Sequence, residues 1–249
     1  MAQWYRILWI CLLFLLPSAA MAQVEVVLTN SDPVVAVHSN FRGQAVTLFG
    51  SITPAPPADA PYAVVVVVQG PSTDWVVREK QRQFGFVLNA ASARYDQVPA
   101  YYGIFSTSPL SQVLDPAAPE NTRFDLAALA ASLRDLTANS DFDAEFVRLM
   151  QGKGRFSQAE RGVTMLSDTA FSLRVPIESN ATNGLYLARA YVIGKGQVLG
   201  ETTTRFTVRT QGFERYVADL ARFNPPLYGL AAVLIALATG WLGGVLFRR

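Results

Sequence analysis

Cysteine is nearly absent from this chain. The single residue, Cys11, falls in the first 22 positions, which have the form of a cleavable leader. The rest of the sequence has none, which excludes disulfides, thiolate catalysis and cysteine metal sites there. Histidine is equally scarce: His38 stands alone, so a serine triad or a histidine metal site would have to be assembled around one imidazole. The sequences G-x-S-x-G, H-E-x-x-H and G-x-x-x-x-G-K-S/T do not occur. Gly194, Gly196 and Gly200 have the wrong spacing for a dinucleotide loop and lie in a hairpin pattern rather than between a strand and a helix. Asp141, Asp143 and Glu145 fit a helix's first turn, where the dipole favours acids. They lack the glycine that a calcium loop needs. No catalytic residue, metal ligand or cofactor is assigned, and we expect a non-enzymatic protein. A membrane-anchored hydrolase ranks last among the readings.

An excess of charge is also lacking. Lys and Arg number 21 against 19 Asp and Glu. Without Arg6 the counts are 20 and 19, a net +1. That balance gives no reason to expect a nucleic-acid partner.

What the chain has is a long uncharged run near its end. Leu227 to Phe247 is 21 apolar or small residues. At about 1.5 Å per residue that crosses a hydrocarbon core about 30 Å thick. Pro225 and Pro226 precede it, Arg248 and Arg249 follow it, and Tyr228 and Trp241 lie towards its two ends. Residues 225–249 therefore read as a transmembrane anchor with a short cytoplasmic tail. Residues 1–22 read as a secretory signal: Arg6, ten apolar residues from Ile7 to Leu16, Pro17, and small residues at Ala20 and Ala22. Together these predict an inner-membrane protein that crosses once, with its bulk in the periplasm and its C-terminus in the cytoplasm.

Residues 23–211 carry strand patterns. Tyr62 to Val68 contains five consecutive valines between Pro61 and Gly70-Pro71, which predicts a strand buried on both faces. Further strands are expected at 23–30, 34–38, 44–53, 101–107 and 171–177, and a strand pair within 74–87. Leu185–Ile193 and Gln197–Val208 flank a Gly194-Lys195-Gly196 hairpin turn. The spacing predicts an antiparallel immunoglobulin-like β-sandwich. Asn183 to Tyr186 resembles the turn that enters a late core strand of such folds. A small helical insertion is expected at about 120–153, with Thr122 and Ser140 as caps. Leu126, Leu129, Leu133 and Leu136 form the apolar face of its first helix. This pair either binds a partner or packs on the sandwich. Residues 212–224 form an amphipathic juxtamembrane helix that lies on the bilayer or against the sandwich.

Two residue sets are candidates for binding. Arg78, Lys80 and Arg82 recur at every second position, so a strand would present all three on one face. With Trp75 and Arg94 near in sequence, they suit an anion held by charge-assisted hydrogen bonds. The other reading is a solvated edge that resists aggregation. Within the span, Ala232, Ala236, Gly240 and Gly244 recur every four residues and make a small-residue stripe. Such a stripe either docks a second transmembrane helix or reflects ordinary span composition. Asn180-Ala181-Thr182 is a glycosylation sequon by letter alone.

Several features coincide: the leader, the Gly70-Pro71 turn, Val77-Arg78-Glu79-Lys80-Gln81-Arg82, Val98-Pro99-Ala100-Tyr101-Tyr102, Ser108-Pro109-Leu110 and one C-terminal span. Together they resemble the uncharacterised "putative transmembrane protein" family of alphaproteobacteria, over essentially the whole chain. The resemblance carries no catalytic residues. It implies an accessory role at the inner membrane beside sulfite-exporter-like membrane proteins. The partners expected are thus the lipid bilayer and a membrane transporter, or a second copy through the transmembrane helix.

Overall fold

A computed structural model describes residues 24–37, 43–57, 59–83, 86–115, 119–178, 181–210 and 213–246. The leader, His38, Asn180, Gly212, Arg248 and Arg249 lie outside the described residues.

Two sheets face each other. The first has β1 (Glu25–Asn30), β3 (Gln44–Thr53), β10 (Ala170–Ile177) and β9 (Val163–Met165) in the order β1-β3-β10-β9, antiparallel throughout. The second has β2 (Val34–Val37), β12 (Gln197–Thr210), β11 (Gly184–Gly194), β4 (Ala63–Gln69), β7 (Tyr102–Ser106) and β8 (Phe156–Ala159) in the order β2-β12-β11-β4-β7-β8. The runs β1-β3-β10-β9 and β12-β11-β4 have the strand order of an immunoglobulin-like sandwich. The second sheet departs from the antiparallel expectation at its edges, where β2 runs parallel to β12 and β8 parallel to β7. Neither pair is joined by a hairpin, so no tight turn forces them to be antiparallel.

The valine run explains the layering. Val64, Val66 and Val68 pack with Leu48, Phe171, Leu173, Tyr186 and Phe206 between the sheets. Val65 and Val67 point the other way and pack with Phe124, Tyr95, Phe146 and Met150 on the outer face of the second sheet. A strand with apolar residues on both sides sits inside a sheet covered on both faces, and β4 lies between β11 and β7.

Two local devices fix the late strands. Lys195 and Gly196 both have positive φ, 53° and 80°, the geometry of a two-residue turn whose twist suits a hairpin. The hydroxyl of buried Tyr186 donates to the carbonyl of Thr182 at 3.0 Å. This is the tyrosine corner of immunoglobulin-like folds, and it ties down the entry to β11 without a disulfide. In the facing sheet, Gly50 lies opposite Phe171, and a Cβ there would come within 2.1 Å of the Phe171 ring.

Between β4 and β7 the chain makes a hairpin longer than the sequence pattern shows. β5 (Ser72–Gln83) pairs with β6 (Phe86–Pro99), so the strand pair expected within 74–87 is in fact two strands over 72–99. The core-facing positions of β6 include Ala93, and small side chains give little alternation to read. Gln97, with φ of 53°, marks one of the irregularities in this pairing.

Between β7 and β8 come a single helical turn α1 (Leu110–Val113), a 3-10 turn at Pro119–Phe124, α2 (Leu126–Leu133) and α3 (Phe142–Gly152). The expected helix start at Thr122 is displaced. Asp125 is the cap and accepts from the Ala127 N–H at 2.8 Å, the bond that satisfies a free first-turn donor. Leu136 is 98% exposed and lies past the helix end. Arg134 is extended and bridges to Tyr95, and the Asp135 N–H donates to the Arg94 carbonyl at 2.9 Å. Strand-like pairing with β6 replaces the last turn. Ser140 does not cap α3 either: Asp141 takes that position, with no side-chain cap bond. After β12 come α4 (Phe213–Phe223) and α5 (Pro225–Leu246).

Candidate functional site

Three places bear on function: the junction of hairpin and insertion, the basic strand, and the C-terminal helices. At the junction Tyr95 stacks on Phe146 with ring centroids 3.9 Å apart and planes 7° from parallel. Its hydroxyl donates to Asp143 Oδ1 at 2.8 Å. Arg134 Nε donates to both oxygens of the same carboxylate, at 3.0 and 3.2 Å, and Arg134 also donates to the Ala138 carbonyl. The Arg134 and Asp143 side chains are 17% and 14% exposed, so each covers the other's charge in a partly dry setting. Burial, then the bond to Asp143, raises the Tyr95 hydroxyl far above its ordinary range. The sequence places Asp143 at a helix start; its carboxylate is instead committed to Arg134 and Tyr95, while the Asp141 carboxylate accepts from the Asn139 side-chain amide at 2.7 Å.

Trp75 lies at the base of the hairpin. Lys153 Nζ sits 4.7 Å and the Arg155 guanidinium 4.9 Å from its ring centre, and its indole N–H donates to Thr73 Oγ1 at 2.9 Å. Two cations on one indole fasten the end of α3 to β5. Trp75 and Val77 both pack against the apolar layer on the outer face of the second sheet.

The basic strand falls on β5. Arg78 pairs with Ser92, Lys80 with Asn89 and Arg82 with Val87. Trp75 and Val77 face the core, while Val76, Arg78 and Lys80 are exposed; the pairing shifts between Glu79 and Lys80, and the Arg82 side chain lies outside the described residues. Neither companion suggested by the sequence joins them. Trp75 is on the opposite face. Arg94 is held by Asp96 at 2.5 Å and Asp74 at 3.1 Å. Among the described residues, Arg78 and Lys80 form no ion pair.

The C-terminal helices are nearly continuous. The Tyr228 N–H donates to the Asn224 carbonyl and the Asn224 N–H to the Leu220 carbonyl. Pro225 and Pro226 open α5, where a missing N–H is least costly. The 22 residues of α5 extend about 33 Å at the helical rise. None of its apolar stretch Pro225–Val245 is covered by the rest of the chain. The Thr239 hydroxyl donates to the Ile235 carbonyl at 2.6 Å, so its proton has an acceptor without water. Ala232, Ala236, Gly240 and Gly244 all lie on α5 and are exposed, and a Cβ at Gly240 or Gly244 would meet nothing within 4 Å. On α4, Tyr216 is 65% and Phe223 72% exposed.

Compared with known proteins, residues 25–249 match the family described as "Putative transmembrane protein" (Alph_Pro_TM), and the chain belongs to it. No curated protein and no solved structure matches. A mainly β chain with one apolar C-terminal helix able to span a bilayer fits a single-pass membrane protein.

Proposed function

We propose that this member of the transmembrane family is a non-enzymatic inner-membrane protein whose sandwich is a periplasmic interaction module, accessory to a membrane transporter. The observation that carries the reading is α5: an uncovered apolar helix of spanning length joined to an immunoglobulin-like sandwich, a fold suited to presenting surfaces. Arg248 and Arg249 favour a cytoplasmic C-terminus. The exposed aromatic side chains of α4 favour its lying on the outer bilayer surface, since apolar groups there gain burial in the interface. The small-residue stripe of α5 then serves as the face that meets a transporter helix or a second copy, because small residues let backbones approach in lipid. Affinity purification of the intact protein in mild detergent tests this. A membrane transporter should co-purify in stoichiometric amount; recovery of the chain free of any membrane protein contradicts an accessory role.

A second reading is favoured by one observation, that Arg78 and Lys80 of β5 are exposed and form no ion pair among the described residues. In it the hairpin binds an oxyanion for an exporter. Sulfite, sulfate or phosphate should then raise the melting temperature, because a ligand of the folded state stabilises it. The triple change Arg78→Gln, Lys80→Gln, Arg82→Gln should abolish the shift. No shift in the unaltered protein leaves these residues as a solvated face.

A further inference from the structure

The outer face of the six-stranded sheet holds a cleft that neither reading uses. The 3-10 turn and α2 stand over this face and leave a cavity of about 500 Å3, a size typical of small-molecule sites. Its floor comes from β4 and β11, where Val67 lies opposite Arg189 and Gln69 opposite Leu187. Leu129 of α2 forms the apolar wall.

The charges in the cleft are unequally used. Arg123 and Glu201 meet across one side at 3.9 Å. The Tyr102 hydroxyl donates to the Arg123 carbonyl at 3.0 Å, which ties the 3-10 turn to the sheet. Arg189 has no such partner: among the described residues its side chain forms no ion pair and no hydrogen bond. It stands in the middle of a central strand, between Val67 on β4 and Thr203 on β12. Arg205 lies opposite Leu187, and Arg209 follows on the same face by strand parity. Glu201, two positions before Thr203 on this face, is met by Arg123. A guanidinium with no ion-pair partner among the described residues, set beside apolar side chains and backed by further arginines, is a place for an acidic group attached to an apolar body.

We propose that this cleft binds a small organic anion, its acidic group on the Arg189 guanidinium and its apolar body over Val67, Leu187 and Leu129. The Gln69 amide offers a further donor beside Leu187. A bare inorganic anion would meet Arg189 but leave the apolar floor uncovered, so it should bind more weakly. This site is distinct from the basic face of β5 and does not rest on the transporter reading.

Calorimetry on the full chain in detergent tests it, with phenylacetate and hexanoate as probes and 2-phenylethanol and sulfate as comparisons. Both carboxylates should bind saturably, and the alcohol and sulfate at least tenfold more weakly. Arg189→Gln should weaken carboxylate binding by about tenfold or more. Ser132→Trp, at an exposed position lining the cleft, should block it by filling the space. The triple change at Arg78, Lys80 and Arg82 should alter it less than twofold. The proposal is overturned if neither carboxylate binds saturably, or if the alcohol binds equally well. It is also overturned if Arg189→Gln and Ser132→Trp both leave binding intact, or if the triple change abolishes it.

Discussion

Arg134 and Asp143 stand on either side of a helix break, and Tyr95, 48 positions away from Asp143, completes their arrangement. Nothing in the spacing of these residues announces it, because the contact exists only once the hairpin and the insertion share a core. Asp143→Ala would leave Arg134 partly buried without its carboxylate and Tyr95 without its acceptor. We expect a loss of about 2–4 kcal/mol, against about 1 kcal/mol for Tyr95→Phe, which removes one hydrogen bond. Thermal unfolding of the full chain in mild detergent measures both, and equal losses would contradict the network. Other buried tyrosines give a pH signature. Burial pushes the Tyr102 and Tyr186 hydroxyls up to about 12, whereas an unfolded tyrosine titrates near 10. A raised folded pKa means the stability they contribute is complete below about pH 10 and is lost as the pH rises towards about 12. Tyrosinate absorbance should therefore rise in two stages, the second coinciding with loss of the sandwich signal in circular dichroism. A single rise near pH 10 with the fold intact would contradict the burial.

Elements were legible where side-chain period and burial agree. β3 and β10 alternate, β4 is apolar from Ala63 to Val68, and the Lys195-Gly196 turn carries its own chemistry. Those missed have weak periods. β6 runs through small and polar residues from Asn89 to Arg94, and β8 and β9 are four and three residues long at sheet edges. α2 ends early because Arg134 and Asp135 pair with the hairpin, a tertiary contact that local propensity cannot show. Among the helices, α5 lends itself to the sharpest test. If its small-residue stripe docks a helix, Gly240→Ile with Gly244→Ile should weaken association in a membrane two-hybrid assay several-fold, because the added branches hold the backbones apart. Leu234→Ile with Leu237→Ile should leave it unchanged. Equal behaviour of the two pairs would reduce the stripe to composition. For α4, Tyr216→Ser with Phe223→Ser should halve or further reduce capture of a peptide of residues 212–224 by anionic vesicles. Unchanged capture would argue against a place in the interface.

At the scale of the whole molecule, the chain is an immunoglobulin-like sandwich with one outer face covered by a hairpin and a helical insertion, continued into a helix of spanning length. The sandwich and the span could be read from hydrophobic pattern alone. The cleft could not, since Val67, Tyr102, Arg123 and Arg189 come from four separate segments that only the sheet order brings together. Arg78 and Lys80 show the reverse: parity set them away from Trp75 and Val77, yet parity says nothing of what stands opposite, and Trp75 and Arg94 proved to be engaged elsewhere. The interaction role proposed for the sandwich requires that it be exported and the C-terminus retained. A pair of fusions measures that directly. Alkaline phosphatase joined after Gly212 should be active and green fluorescent protein joined after Arg249 should fluoresce. An inactive phosphatase with a dark C-terminal fusion would reverse the orientation and contradict the account.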